Sequence, residues 1–219
     1  MPTSITINAY AKINLALAVG APLPPGTPDG KAGFHPIASW MTCIDLADEL
    51  TLSRLNPDGS GRYTIEWSPD APRASPIDWP LEKDLAVRAH RLLEAEVGRP
   101  LPLSMVMRKR VPVGGGLGGG SSDGAAMLLG VRRLFSLNIP TSRLVALSAR
   151  LGSDMAFFVD DDQPARPALV TGLGDRLERV THVDANVLLI VPPVGCPTGR
   201  RRGTPARSGT PRAGRSAAR

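Results

Sequence analysis

Cysteine is scarce in this 219-residue chain, which has only Cys43 and Cys196. Two thiols cannot build a disulfide framework, and these two lack metal-ligand spacing, so reduced cysteines in a cytoplasmic protein are the expectation. No stretch of about 18 or more apolar residues occurs, and no signal-peptide pattern is present, so neither a membrane span nor export is indicated. Aromatic residues make up 4% and apolar residues 42%. That balance suits a soluble α/β or α+β protein of one large domain or two small ones. Acidic residues are missing from one place: residues 200–219 hold seven arginines and no Asp or Glu. Residues 1–199 hold 19 basic against 20 acidic side chains, so the net charge of +6 belongs to the tail.

Glycine, by contrast, is concentrated. Six of the seven positions from Gly114 to Gly120 are glycine, in the run Pro112-Val-Gly-Gly-Gly-Leu-Gly-Gly-Gly-Ser-Ser-Asp123. Such a run buries no side chain and costs much backbone entropy to order. What it offers is main-chain N–H groups close to a ligand. The apolar residues that follow predict a helix over 123–136, and a helix N-terminus attracts anions. The run reads as a phosphate cradle. A flexible linker is the bland alternative, but linkers rarely join a strand to a capped helix. A Walker loop requires a lysine after the last glycine, and none is there. Gly114-x-Gly116-x-x-Gly119 matches a dinucleotide fingerprint, yet the acid wanted about 20 residues on is absent from the stretch Asn138–Arg143.

Along the rest of the chain, odd positions from Ile5 to Val19 are apolar, which predicts one long strand or two consecutive ones with one buried face. That alternation turns Lys12 and Asn14 away from the buried face, toward solvent. Residues 20–33 and 68–80 read as loops. The run 37–46, then Leu50 and Leu52, then Tyr63, Ile65 and Trp67, predict several short strands split by a turn at Asn56–Gly59. Asp84 caps a helix ending at Gly98. Leu103–Val111 alternates as a strand into the glycine run. A further helix starts at Pro140 and Thr141 and closes at Gly152. Gly172-Leu-Gly174 is a turn, and Val187–Val191 predicts a buried strand.

The glycine run resembles the ATP loop of the GHMP kinases, with two extra glycines, Gly119 and Gly120, before Ser121-Ser122. That longer form is similar to one branch, the kinases of 4-diphosphocytidyl-2-C-methyl-D-erythritol in the non-mevalonate (MEP) isoprenoid pathway. Ala11-Lys-Ile-Asn-Leu15, Gly33-Phe-His35, Lys109 and Leu151-Gly-Ser-Asp154 with Phe157-Phe158 fit the same branch, in order, across roughly residues 5–198.

The resemblance implies an α+β GHMP kinase fold: an N-terminal domain like the second domain of ribosomal protein S5, over 1–160, then a partial ferredoxin-like domain from 161 to 199. It implies ATP and Mg²⁺ as cofactors, with no residue assigned to the metal, and a cytidine diphosphate-linked methylerythritol as the small-molecule partner. Pro112, Val113, Gly114, Gly115, Gly116, Leu117, Gly118, Gly119, Gly120, Ser121 and Ser122 would hold the nucleotide. Asp154 would take the proton of the acceptor hydroxyl, and Lys12 would stabilise developing charge. Asn14, Phe34, His35 and Lys109 would line the substrate side, Phe34 standing where tyrosine is more usual. Read alone, Asp154 is a polar residue after a helix end and His35 an ordinary structural histidine. Another GHMP small-molecule kinase, or a nucleotide-binding relative without turnover, is the alternative.

Three departures stand out. Gly124 replaces an expected alanine after Ser-Ser-Asp. Ser153 and Met155-Ala156 differ from the usual residues around the aspartate. Members of the branch also continue further, with a C-terminal half that closes over the substrates. Beyond Gly199 this chain has no Val, Ile, Leu, Met or aromatic residue, which predicts disorder. That tail reads as an aberrant, frameshifted terminus, with a nucleic-acid-binding arm as the rival.

Overall fold

A computed structural model describes residues 2–56 and 61–191. Most of the turn at 56–59, and the 200–219 tail with its expected disorder and aberrant origin, lie outside the described residues.

Strand β1 (Ser4–Val19) and strand β2 (Ile37–Arg54) form a long antiparallel pair. β2 is one continuous strand of 18 residues, where several short strands were expected. Acidic residues at 45, 48 and 49 interrupt its apolar pattern, but pairing with β1 along its length holds the backbone extended. Strand β3 (Arg62–Trp67) leads by loop to helix α1 (Leu85–Val97). Asp84 caps α1 by accepting the N–H groups of Ala86 (2.9 Å) and Val87 (3.3 Å), and Gly98 ends it in a left-handed conformation. Strand β4 (Leu103–Lys109) pairs parallel with β3 and antiparallel with the C-terminal part of β2.

Helix α2 (Gly119–Leu134) starts four residues earlier than expected, so Gly119 and Gly120 form its first turn. A Cβ on Gly119 would lie 3.0 Å from Val111 Cγ1, so glycine lets this turn sit close against the segment that leaves β4. Helix α3 (Thr141–Ser148) and the short helix α4 (Met155–Phe158) follow. Strands β5 (Ala168–Gly172) and β6 (Arg176–Arg179) form a hairpin that pairs with the N-terminal part of β2, so residues after 160 extend the same sheet.

The core lies between this sheet and the helices, with Leu50, Leu52, Met105 and Met107 meeting Leu93, Met127 and Leu128. The expected buried strand at 187–191 is not formed. Leu188 is 87% and Ile190 80% exposed, with no partner strand among the described residues.

Candidate active site

The sheet leaves a gap at its centre. β1 covers one edge of β2, while on the other edge β4 pairs with 49–54 and β5 with 37–41. Residues 42–48 face the interval between them, and the glycine-rich chain crosses there. Asp48 makes the join. Its Oδ1 accepts the backbone N–H groups of Arg110 and of Val111 (2.8 Å), the residues that carry β4 into the loop.

Gly114, Gly116 and Gly118 have φ near +75°, a left-handed conformation that other residues resist. They fold the chain into a concave turn that ends at the N-terminus of α2. The loop is pinned from two sides: Leu117 accepts the N–H of Lys12 (2.8 Å), and a Cβ on Gly118 would lie 2.8 Å from Phe158 Cζ. Beside the loop is a cleft of about 260 Å³, lined by Gly114–Gly120 together with Trp79, Lys83, Asp84, Leu85, Lys109 and Asp123. Sequence reasoning missed this second wall. Its one signal was the tryptophan shortly before the capping Asp84, whose Oδ2 accepts the indole N–H of Trp79 at 3.1 Å.

Lys12 is buried at 6% exposure, where simple alternation turned it toward solvent. The β1–β2 register slips between Tyr10 and Lys12, and this bulge moves the side chain to the other face. Its ammonium donates to Asn14 Oδ1 (2.7 Å) and lies 3.6 Å from Asp154 Oδ2. Asp154 sits at the N-terminus of α4 with its side chain 36% exposed. A Cβ on Gly118 would come within 3.0 Å of Lys12 Cγ, so that glycine adjoins both the cleft and the Lys12–Asp154 pair. Asn14 also donates to Ser39 (2.6 Å), which fixes its amide.

Of the other expected substrate residues, Lys109 lines the cleft, while Phe34 and His35 belong to the β1–β2 connection. Phe34 is 54% exposed, and His35 uses Nδ1 on the Gly20 carbonyl (2.8 Å) within the β1–β2 connection. Lys109 is buried, with Nζ donating to Asp48 Oδ2 (2.6 Å) and Asp123 Oδ2 (2.7 Å). Burial works against its charge, but the two carboxyls outweigh burial and hold the ammonium above the usual lysine range. Burial likewise pushes the Asp123 carboxyl well above the usual carboxylate range; Lys109 opposes that and Asp48 adds to it. Neither Asp48 nor this use of Asp123 was read from the sequence, since a charge inside a strand carries no mark of burial.

Residues 84–165, which include the loop, α2 and Asp154, match the family model described as GHMP kinases N terminal domain. Over that stretch the chain is similar to the N-terminal domain of the GHMP kinases. Curated relatives include the 4-diphosphocytidyl-2-C-methyl-D-erythritol kinase of Paraburkholderia phymatum (strain DSM 17167 / CIP 108236 / LMG 21445 / STM815), 35% identical over 190 residues. That of Bacillus pumilus (strain SAFR-032) is 38% identical over 191 residues. Each alignment covers 87% of this chain, and 58% and 59% of the respective relatives, so the chain spans less than two thirds of their length. Among solved structures, a 4-(cytidine 5'-diphospho)-2C-methyl-D-erythritol kinase superposes with a TM-score of 0.60 at 30% identity, covering 80% of this chain and 55% of that one. The Methanococcus jannaschii mevalonate kinase gives 0.55 at 10% identity over 81% of this chain and 56% of its own, which speaks for the GHMP kinase fold alone. No helix among the described residues is long and apolar enough to cross a membrane.

Proposed function

We propose that this chain binds ATP in the glycine-lined cleft and transfers its terminal phosphoryl group to the 2-hydroxyl of 4-diphosphocytidyl-2-C-methyl-D-erythritol. The observation that carries the reading is the Lys12–Asp154 pair at 3.6 Å, adjoining the last left-handed glycine of the cradle. The relatives, kinases of 4-diphosphocytidyl-2-C-methyl-D-erythritol, supply the substrate. Main-chain N–H groups of Gly114–Ser121, at and before the N-terminus of α2, offer fixed positive ends to the phosphates, which costs no reorganisation during transfer. An alcohol attacks phosphorus well only as it loses its proton. Asp154, the more exposed partner, would take that proton, and Lys12 would stabilise charge spreading over the transferred group. Asn14 orients Lys12, and Phe34, His35 and Lys109 remain candidates for holding the substrate.

Among the described residues no three His, Cys, Asp or Glu side chains come together as a metal site. Magnesium in such a kinase commonly arrives with the nucleotide, ligated largely by phosphate oxygens and water. The test is ADP release and formation of the 2-phospho product from ATP and 4-diphosphocytidyl-2-C-methyl-D-erythritol. Nucleotide binding without any ADP release in the presence of this alcohol would leave a nucleotide-binding relative and sink the kinase reading.

A further inference from the structure

The two carboxyls that share Lys109 are not equivalent. Asp48 has three donors: the main-chain N–H groups of Arg110 and Val111 on Oδ1, and Lys109 on Oδ2. Asp123 has one, Lys109 on Oδ2, while its Oδ1 is buried without a hydrogen-bond partner among the described residues. Asp123 is 2% exposed and Asp48 0%, so water does not make up the difference. A buried carboxylate with one oxygen unsatisfied is costly, whereas an acid whose proton sits on Oδ2 and is donated to Asp48 leaves only Oδ1, then a weak acceptor, without a partner. Two carboxylates against one ammonium would also leave an unbalanced negative charge in the wall of the cleft that Gly114–Gly120 line. Such a charge repels a polyphosphate.

We propose that Asp123 is a protonated carboxylic acid at neutral pH, and that its proton keeps the cleft wall neutral so that a nucleoside triphosphate can bind. Asp48 then carries the charge that balances Lys109. The groups facing Asp123 agree with this. Asp48 comes from β2 and Lys109 from β4. Arg110 turns its guanidinium outward to Asp70 (3.2 Å). Lys83 and Asp84 line the far side of the cleft. Burial, with Asp48 beside it, holds the Asp123 proton well above the ordinary carboxylate range.

The role in binding rests on the nucleotide reading of the cleft; the proton itself does not. Infrared spectra of the whole chain, unlabelled and with isotope-labelled aspartate, are expected to show a protonated carboxylic acid at neutral pH that is lost in Asp123→Asn. If Asp123→Asn does not fold, the pH titration of that band in the unaltered chain still reports the proton. ATP affinity by calorimetry is expected to weaken by roughly tenfold as pH rises through the deprotonation of Asp123, and to stay flat in Asp123→Asn. Absence of the acid band overturns the proposal, as does an identical pH dependence in both proteins. An acid band without ATP affinity at any pH overturns the role in binding and the nucleotide reading, and leaves the proton in place.

Discussion

Lys12 Nζ and Asp154 Oδ2 lie 3.6 Å apart although 142 positions separate them in sequence, one on a bulge of β1 and the other at the N-terminus of α4. Asp154→Asn keeps the size and removes the proton acceptor. It is expected to lower kcat for phosphoryl transfer by roughly 100- to 10,000-fold with ATP affinity nearly unchanged. Steady-state kinetics beside ATP calorimetry checks this, and full turnover in the variant would exclude Asp154 as the base.

Gly124 and Met155, two departures from the usual family residues, meet each other. A Cβ on Gly124 would fall 2.3 Å from Met155 Cε and 3.2 Å from the Leu85 carbonyl oxygen. Gly124→Ala is expected to destabilise the protein by about 1–3 kcal/mol through overpacking. Met155→Val in the same chain makes room and should recover much of that. Urea denaturation of the two single variants and the double variant gives the coupling, expected to be about 1 kcal/mol or more.

The glycines of the cradle separate conformational from steric demands. Gly114 and Gly118 both have φ near +75°, but a Cβ on Gly114 meets nothing within 4 Å, while one on Gly118 meets Phe158 and Lys12. Gly114→Ala is expected to cost about 1–2 kcal/mol from backbone strain alone. Gly118→Ala should cost more and also displace Lys12, lowering kcat beyond any loss of ATP affinity. Thermal melts with parallel kinetics would show the contrast, and equal effects at both sites would contradict it.

Lys109→Met leaves Asp48 and Asp123 buried without their cation, an expected loss of about 3–5 kcal/mol near neutral pH. The sign of its pH dependence follows from Asp123, whose folded-state proton is held above the ordinary carboxylate range. Without Lys109 that proton is held more tightly still, so the folded state binds more protons than the unfolded chain. Stability should therefore be greatest below the usual carboxylate range and fall as pH rises toward the raised value. Denaturation midpoints measured at mildly acidic and neutral pH test this, and a variant that is more stable at the higher pH would refute it.

The glycine-rich turn was legible because glycine has few reasons to cluster, and the cap of α1 because Asp84 and Gly98 mark its two ends. Lys12 was only half legible. Family resemblance named it, but alternation turned it outward, since a bulge between Tyr10 and Lys12 leaves no trace in composition. The start of α2 was missed because Gly119 and Gly120 are poor helix formers, and the close approach of Gly119 to Val111 leaves no mark in the sequence. Residues 187–191 misled in the opposite way: their apolar run fits a strand, but a strand also needs a partner edge, which periodicity does not report.

Asp48 does more than hold a lysine. The β2–β4 ladder ends at Glu49 and Arg108, and the next main-chain donors of the outgoing chain, at Arg110 and Val111, go to the Asp48 carboxylate. The glycine-rich segment is thus slung from the longest strand among the described residues. Any displacement of β2 carries the root of the loop with it, and the freedom left to the loop lies between Val111 and Leu117, where Lys12 holds it again.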